Sequence, residues 1–184
     1  MSQSLLSARI KEETKKSHQE LEKKVVLKLK GIRSEADYAG FLNSFYNYFN
    51  TVEKANAPYI SNKVLSDYTE RRNSSYLKAD IEELGFEIKP SIGLPQPEIT
   101  SLPAALGAMY VMEGSIMGGP IIVEILKKHG ITKGFSFFSG YGAETGKMWS
   151  AFVSVLNANA SDEQAKQIAV NVANDTFAKF QSYF

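Results

Sequence analysis

The run from Leu102 to Leu126 constrains this chain most. It is strongly apolar, helical in its spacing, and interrupted by Gly114, Gly118, Gly119 and Pro120. A helix that is apolar around its circumference has to be covered by other elements. Ser101 with Pro103 just inside fits its N-terminus, and Lys127, Lys128 and His129 before Gly130 fit its C-terminus. Each mid-helix glycine costs about 1 kcal/mol relative to alanine, so the three between Gly114 and Gly119 disfavour a regular helix. Pro120 removes an N–H and conflicts with the carbonyl of Ile116, which gives a kink there a named cause.

The other segments supply the cover. Leu6, Ile10, Leu21 and Val25 predict a first helix from Ser4 to about Lys30, closed by Gly31. Ser34, Glu35 and Asp37 start a second, which runs through Tyr38, Phe41, Phe45, Tyr48 and Val52 to near Pro58. A third is expected from Ser66 and Asp67 to Gly85. Pro90, Gly93, Pro95 and Pro97 make Lys89–Thr100 an ordered loop. An aromatic stretch with Phe135, Phe137, Phe138 and Tyr141 leads into a helix through Met148, Trp149, Phe152 and Leu156. Ser161 with Gln164 matches a capping box for the last helix, through Ile168, Val172, Phe177 and Phe180. There is no repeat and no low-complexity tract. The expectation is an all-α, single-domain bundle over residues 1–184 with one glycine-kinked helix.

Composition narrows the chemistry. With 21 basic and 20 acidic residues the net charge is +1, far from the basic stripe that nucleic acid requires. The absence of cysteine excludes disulfides, zinc-thiolate sites, iron–sulfur clusters and thiol nucleophiles, and leaves histidine as the protein ligand for any bound heme. No secretory leader and no stretch approaching a membrane span is read, so a cytoplasmic protein without a membrane partner is expected.

Two features exceed ordinary core. His18 lies with Thr14, Ser17 and Leu21 along the buried stripe of the first helix, so its imidazole is expected to point inward between apolar turns. One reading is a core histidine bonded locally, and spacing alone favours it. The other is an axial iron ligand, with Glu22 one turn later fixing its tautomer directly or through water. The second feature is the glycine cluster. Gly114 and Gly118, one turn apart, are expected to present bare backbone on a common face. Close helix packing explains that, and so does a flat ligand lying where a side chain would collide. A slot between an imidazole-bearing helix and a glycine-kinked helix suits a planar macrocycle.

The residues Ile10-Lys11-Glu12-Glu13-Thr14-Lys15-Lys16-Ser17-His18-Gln19-Glu20-Leu21-Glu22 resemble the proximal-helix motif of heme oxygenases. Leu106 to Gly119 is similar to the distal helix of the bacterial branch, including its bacteriophytochrome-associated members. Phe137-Phe138, Tyr141-Gly142, Trp149, Phe152, Ala173 and Thr176-Phe177 extend the likeness in order over nearly the whole chain. The resemblance implies an enzyme for which heme is both cofactor and substrate. It implies His18 as proximal iron ligand, Glu22 as its partner, and Lys11 beside a propionate. It further implies Gly114, Gly118 and Gly119 against the distal face of the heme, and Gly114, Ser115 and Gly118 shaping the reaction. Dioxygen, with electrons from a ferredoxin or flavoprotein reductase, then converts heme to biliverdin, carbon monoxide and iron.

Two positions depart from the family. Ser115 stands where animal members carry a water-organising aspartate, and Ser150 where many relatives place an arginine near the propionates, leaving Lys147 as the nearest helical cation. Ser150 is the feature that favours the alternative of a heme carrier or sensor without turnover. A di-iron carboxylate oxidase would need Glu-x-x-His motifs on paired helices, and His129, the second of the two histidines, sits at a helix end. A thiaminase-like enzyme would need a nucleophilic cysteine.

Overall fold

Glycine sets the axis of the fold. In the computed structural model, which describes residues 5–160 and 162–184, a side chain at Gly107 would place its Cβ 2.2 Å from the Ala169 carbonyl oxygen. The helices α5 (Leu102–Gly114) and α8 (Glu163–Phe180) therefore touch backbone to backbone. Around this pair lie α1 (Leu6–Glu13), α2 (Lys15–Lys30), α3 (Glu35–Asn56), α4 (Ser74–Glu83), α6 (Gly119–Lys128) and α7 (Thr145–Ala158). No strand occurs among the described residues.

Capping residues fix most boundaries where the sequence predicts them. The Ser34 hydroxyl accepts from Asp37 N at 3.1 Å and Asp37 accepts from Arg33 N at 2.9 Å, so α3 starts on a reciprocal pair. Ser101 accepts from Ala104 N at 3.4 Å to open α5. Gly85 and Gly130, at φ +87° and +84°, turn the chain just beyond α4 and α6. The predicted capping box of α8 rests on Ser161, outside the described residues; Asp162 caps the helix by accepting from Ala165 N at 2.8 Å.

Two boundaries need correction. The single first helix, whose predicted start at Ser4 lies outside the described residues, divides at Thr14. That hydroxyl donates to Ile10 O at 2.7 Å, and the backbone there relaxes to ψ 0° before α2 begins. The third helix starts at Ser74 rather than Ser66, because Tyr68–Glu70 forms a short 3-10 turn and Arg71 is extended. Asn73 caps α4, and Glu53 of α3 accepts from both Ser74 N, at 2.6 Å, and the Ser74 hydroxyl.

The core is aromatic where α3 meets α8 and the segment before α7. Phe45 sits edge-on to Phe138 and Phe180 at 5.2 and 5.1 Å, and Tyr48 stacks on Phe180 at 4.4 Å. Asp80 of α4 accepts from Ser136 N, the Ser136 hydroxyl and Phe137 N at 2.6–2.9 Å, which pins that segment. The expectation that nothing approaches a membrane span also needs correction. Leu102–Lys128, 27 residues, is long and apolar enough by length and composition, although much of it is core packed against its neighbours.

Candidate functional site

The candidate proximal wall is α2. His18 lies flat against Phe177 of α8, with ring centroids 5.0 Å apart and planes 27° from parallel. The chain around it is tied to α8 and the turn that follows: the Ser17 hydroxyl donates to Asn174 Oδ1 at 2.8 Å, Asn174 Nδ2 donates to Glu13 O at the end of α1 at 3.2 Å, and Lys24 Nζ donates to Gln181 O just beyond α8 at 3.0 Å. These ties hold α2 in register on both sides of the imidazole. The structure corrects the expected orientation: Leu21 and Leu29 take the buried stripe of α2, and His18 sits at its exposed edge. Among the described residues no hydrogen bond holds either His18 ring nitrogen, so a neutral imidazole there has a lone pair to give. Glu22 and Lys11 are both exposed, Glu22 one turn after His18 and Lys11 in the last turn of α1, beyond the break at Thr14.

Hollows run along this helix. One of about 580 Å³ is lined by Gln19, Glu22, Val26 and Leu27 among others. A second of about 380 Å³ shares Leu27 and continues past Gly31, Gly40, Phe41 and Phe184. Leu27 is 71% exposed at their junction, an apolar side chain left without cover.

The distal wall is the link between α5 and α6, where α6 lies beside α2. The helical path continues from Leu102 to Lys128, but Ser115–Gly118 winds as a 3-10 turn. Its glycines face three different surroundings. A Cβ at Gly114 would rest 3.6 Å from the Trp149 ring, a Cβ at Gly119 would fall 2.0 Å from the Phe138 carbonyl oxygen, and a Cβ at Gly118 would meet nothing within 4 Å. Gly114 and Gly118 therefore do not share a face as expected, because the tighter 3-10 winding turns one away from the other. Only Gly118 looks onto open space, flanked by the exposed side chains of Met117 and Ile121.

Behind this turn lies a buried polar network that the motifs did not indicate. The Arg71 guanidinium takes Asp67 bidentately at 2.7 and 2.9 Å, Glu113 at 2.6 Å and Met148 O at 3.0 Å. Arg72, 7% exposed, donates to Phe137 O at 3.0 Å, Met112 O at 3.2 Å and the Ser115 hydroxyl at 2.7 Å, and lies 3.9 Å over the Phe137 ring. The Tyr141 hydroxyl donates to Glu113 at 3.2 Å and accepts from Arg72 N at 3.0 Å. Burial pushes the Arg72 guanidinium down to about 10, so it remains a cation at neutral pH, and burial pushes the Glu113 carboxyl up against the pull of both arginines. The Ser115 hydroxyl, which also donates to Met112 O at 2.7 Å, is committed to this network. Ser150 is exposed on α7, and Lys147 is drawn to Glu144 at 3.2 Å.

One signal for the network was present in the sequence. Only four of the 21 basic residues are arginine, and two of them are adjacent at 71 and 72. Arginine is the cation suited to buried, forked bonding. The site offers an exposed imidazole on α2, with no hydrogen-bond partner among the described residues, and bare backbone at Gly118 on the segment that leads into the neighbouring α6. No group of three or more His, Cys, Asp or Glu side chains gathers among the described residues to hold a bare metal ion, as a di-iron centre would require. The donor set fits a metal carried in by a flat macrocycle that needs one axial ligand.

Comparison with known proteins identifies the fold and the family. The chain is 24% identical over 180 residues to heme oxygenase PigA of Pseudomonas aeruginosa, covering 97% of this chain and 90% of that one. Its fold is similar to the NO- and CO-bound heme oxygenase from Neisseria meningitidis, with a TM-score of 0.82, 23% identity, and coverage of 98% and 90%. It is also similar to heme oxygenase-1 from the cyanobacterium Synechocystis in complex with heme, with a TM-score of 0.76, 20% identity, and coverage of 98% and 90%. The heme oxygenase family profile matches residues 4–88 and 94–184, and this chain belongs to that family.

Proposed function

We infer that this chain is a heme oxygenase, which binds heme beside α2 and converts it to biliverdin, carbon monoxide and iron. The observation that carries the reading is the pairing of two groups on neighbouring helices. His18 offers a nitrogen lone pair that no group among the described residues takes, and Gly118 offers backbone with open space before it. Heme supplies, when bound, the iron at which dioxygen is reduced and the ring carbon that is oxidised.

The residues of this chain position that chemistry. His18 would hold the heme iron, steadied by Phe177 and by the ties from Ser17 to α8 and from Lys24 to the turn that follows it. A histidine in that role would lack the electron push of a thiolate ligand. Glu22 would reach the far ring nitrogen through water, and Lys11 would meet a propionate at the rim. Gly118 lets the flat ring approach the distal backbone, whereas Gly114 and Gly119 allow the turn itself to form against Trp149 and Phe138. Ser115 acts through the shape of the turn, since its hydroxyl is bonded to Arg72 and Met112 O.

The reading includes an electron donor, a ferredoxin or a flavoprotein reductase, and one domain spanning the chain. A reducing cytoplasmic setting accords with the absence of cysteine. Leu106–Gly119 supports placing the chain in the bacteriophytochrome-associated branch. A carrier or sensor is the second reading, favoured by the exposed, neutral Ser150. Reducing the hemin complex in oxygenated buffer with ascorbate or a reductase separates the two. An enzyme loses its Soret band as biliverdin absorption and carbon monoxide appear; a carrier keeps the band.

A further inference from the structure

The chain contains no cysteine, so its softest oxidisable groups are the thioethers of its five methionines. Among the described residues, Met109 and Met112 are buried in α5 at 5% and 7% exposure, and Met148 is half-buried in α7. Met117 is different. It stands in the Ser115–Gly118 turn at 48% exposure, beside Gly118, before which there is open space, and one turn ahead of Ile121, 65% exposed. Apolar cover alone does not call for sulfur here, since the hydrocarbon of Ile121 gives the same cover alongside. The most accessible of these thioethers therefore lies on the turn that the proposed function sets against heme, where dioxygen is reduced.

We propose that Met117 is an oxidation site through which hydrogen peroxide lowers this chain's hold on heme. The sulfur lone pair attacks one peroxide oxygen, and an S–O bond forms as the O–O bond breaks. The displaced hydroxide takes the proton from the transferred oxygen and leaves as water. Sulfur loses two electrons, peroxide gains them, and a flexible apolar side chain becomes a polar sulfoxide. A polar group pressed against a flat apolar macrocycle gives up water without gaining a partner, so heme binding weakens. Incomplete reduction of dioxygen releases peroxide, so turnover supplies its own brake, and methionine sulfoxide reductases lift it. That source of peroxide rests on the heme oxygenase reading; the reactivity of Met117 does not.

Reactivity is tested in heme-free protein by dilute hydrogen peroxide, removal of the oxidant with catalase, and peptide mapping by tandem mass spectrometry. Met117 is expected to gain one oxygen, about 16 Da, about tenfold faster than Met109 and Met112, and ahead of Met148. A rate at Met117 equal to or below theirs overturns the proposal. Hemin titrated into the oxidised protein is expected to bind about fivefold more weakly than to the untreated parent. Met117→Leu keeps an apolar side chain of similar volume and is expected to bind hemin equally before and after peroxide. Unchanged binding in the oxidised parent, or the same loss in Met117→Leu, overturns the proposal. The third reading follows reduction of the hemin complex in oxygenated buffer: Met117 is expected to carry oxygen once bilin has formed, and bilin formed with Met117 unmodified overturns the link to turnover. A parent that forms no bilin counts against the heme oxygenase reading and leaves the peroxide titration to judge Met117.

Discussion

The two walls of the cleft are built in opposite ways. The proposed proximal wall is a single amphipathic helix whose candidate ligand, His18, stands exposed at its edge and is steadied by one ring and a few bonds from neighbouring residues. The distal wall is a short turn at the meeting of three chain segments, backed by two buried arginines, a buried glutamate and a tyrosine. In the first, chemistry is presented and stability lies elsewhere. In the second, stability is spent on holding bare backbone in one place. Substitutions on the proximal side should therefore change ligand binding with little effect on folding, and those behind the distal wall should do the reverse.

The largest expected effect breaks the distal support. Glu113→Ala strips a buried partner from Arg71 and is expected to destabilise the fold by about 3–5 kcal/mol in urea unfolding. A smaller loss would mean that Asp67 alone satisfies Arg71, and would weaken the contrast between the walls. Next come the adjacent glycines, which sharpen it. Gly119→Ala drives a methyl into the Phe138 carbonyl and is expected to cost about 1–3 kcal/mol. Gly118→Ala has room and gains helix propensity, so stability should hold or rise by up to ~1 kcal/mol while bilin yield or isomer changes. Equal thermal stability in the two alanine variants would contradict the assignment of one glycine to packing and the other to the ligand.

The smallest effect lies at the corner between α2 and α3, on the proximal side. Asp37 is held below the usual carboxylate range by the Arg33 N–H first and by Ser34 second. A lowered carboxyl contributes stability that is present above its unfolded value and lost as pH falls through the folded one. Asp37→Asn should remove that acid-side loss, so its melting temperature falls less steeply than the parent's below about pH 4. Parallel curves would show that the cap contributes nothing through charge.

The contrast also explains what the sequence made legible. His18 could be singled out as a candidate because its setting is local: one helix, one apolar stripe, and a motif contained within thirteen residues from Ile10 to Glu22. Its exposed orientation could not, since that depends on Leu21 and Leu29 claiming the core and on where α8 lies. The helical architecture was legible from periodicity and caps, as at Ser34 and Ser101. The break at Thr14 was not, because a hydroxyl that bonds back to Ile10 O leaves no mark on the apolar pattern. The glycine run signalled a distal turn, but which glycine faces open space is decided by Trp149 and Phe138, far along the chain. Arg71 and Arg72 were passed over because Tyr68–Arg72 looked like the first turn of a helix. Their partners, Glu113 and Ser115, lie more than 40 positions away.

The role of α2 is tested most directly by the visible spectrum of hemin titrated into His18→Ala beside the parent. The substitution removes an exposed ring whose one close aromatic contact is Phe177, so folding should be disturbed by no more than about 0.5 kcal/mol. With His18 as the axial ligand, the variant is expected to melt like the parent yet lose the histidine-coordinated Soret spectrum and form no biliverdin on reduction, with added imidazole restoring part of the spectrum. A variant that keeps the parent's Soret band and its rate of bilin formation would contradict the assignment of His18 and, with it, the role given to α2.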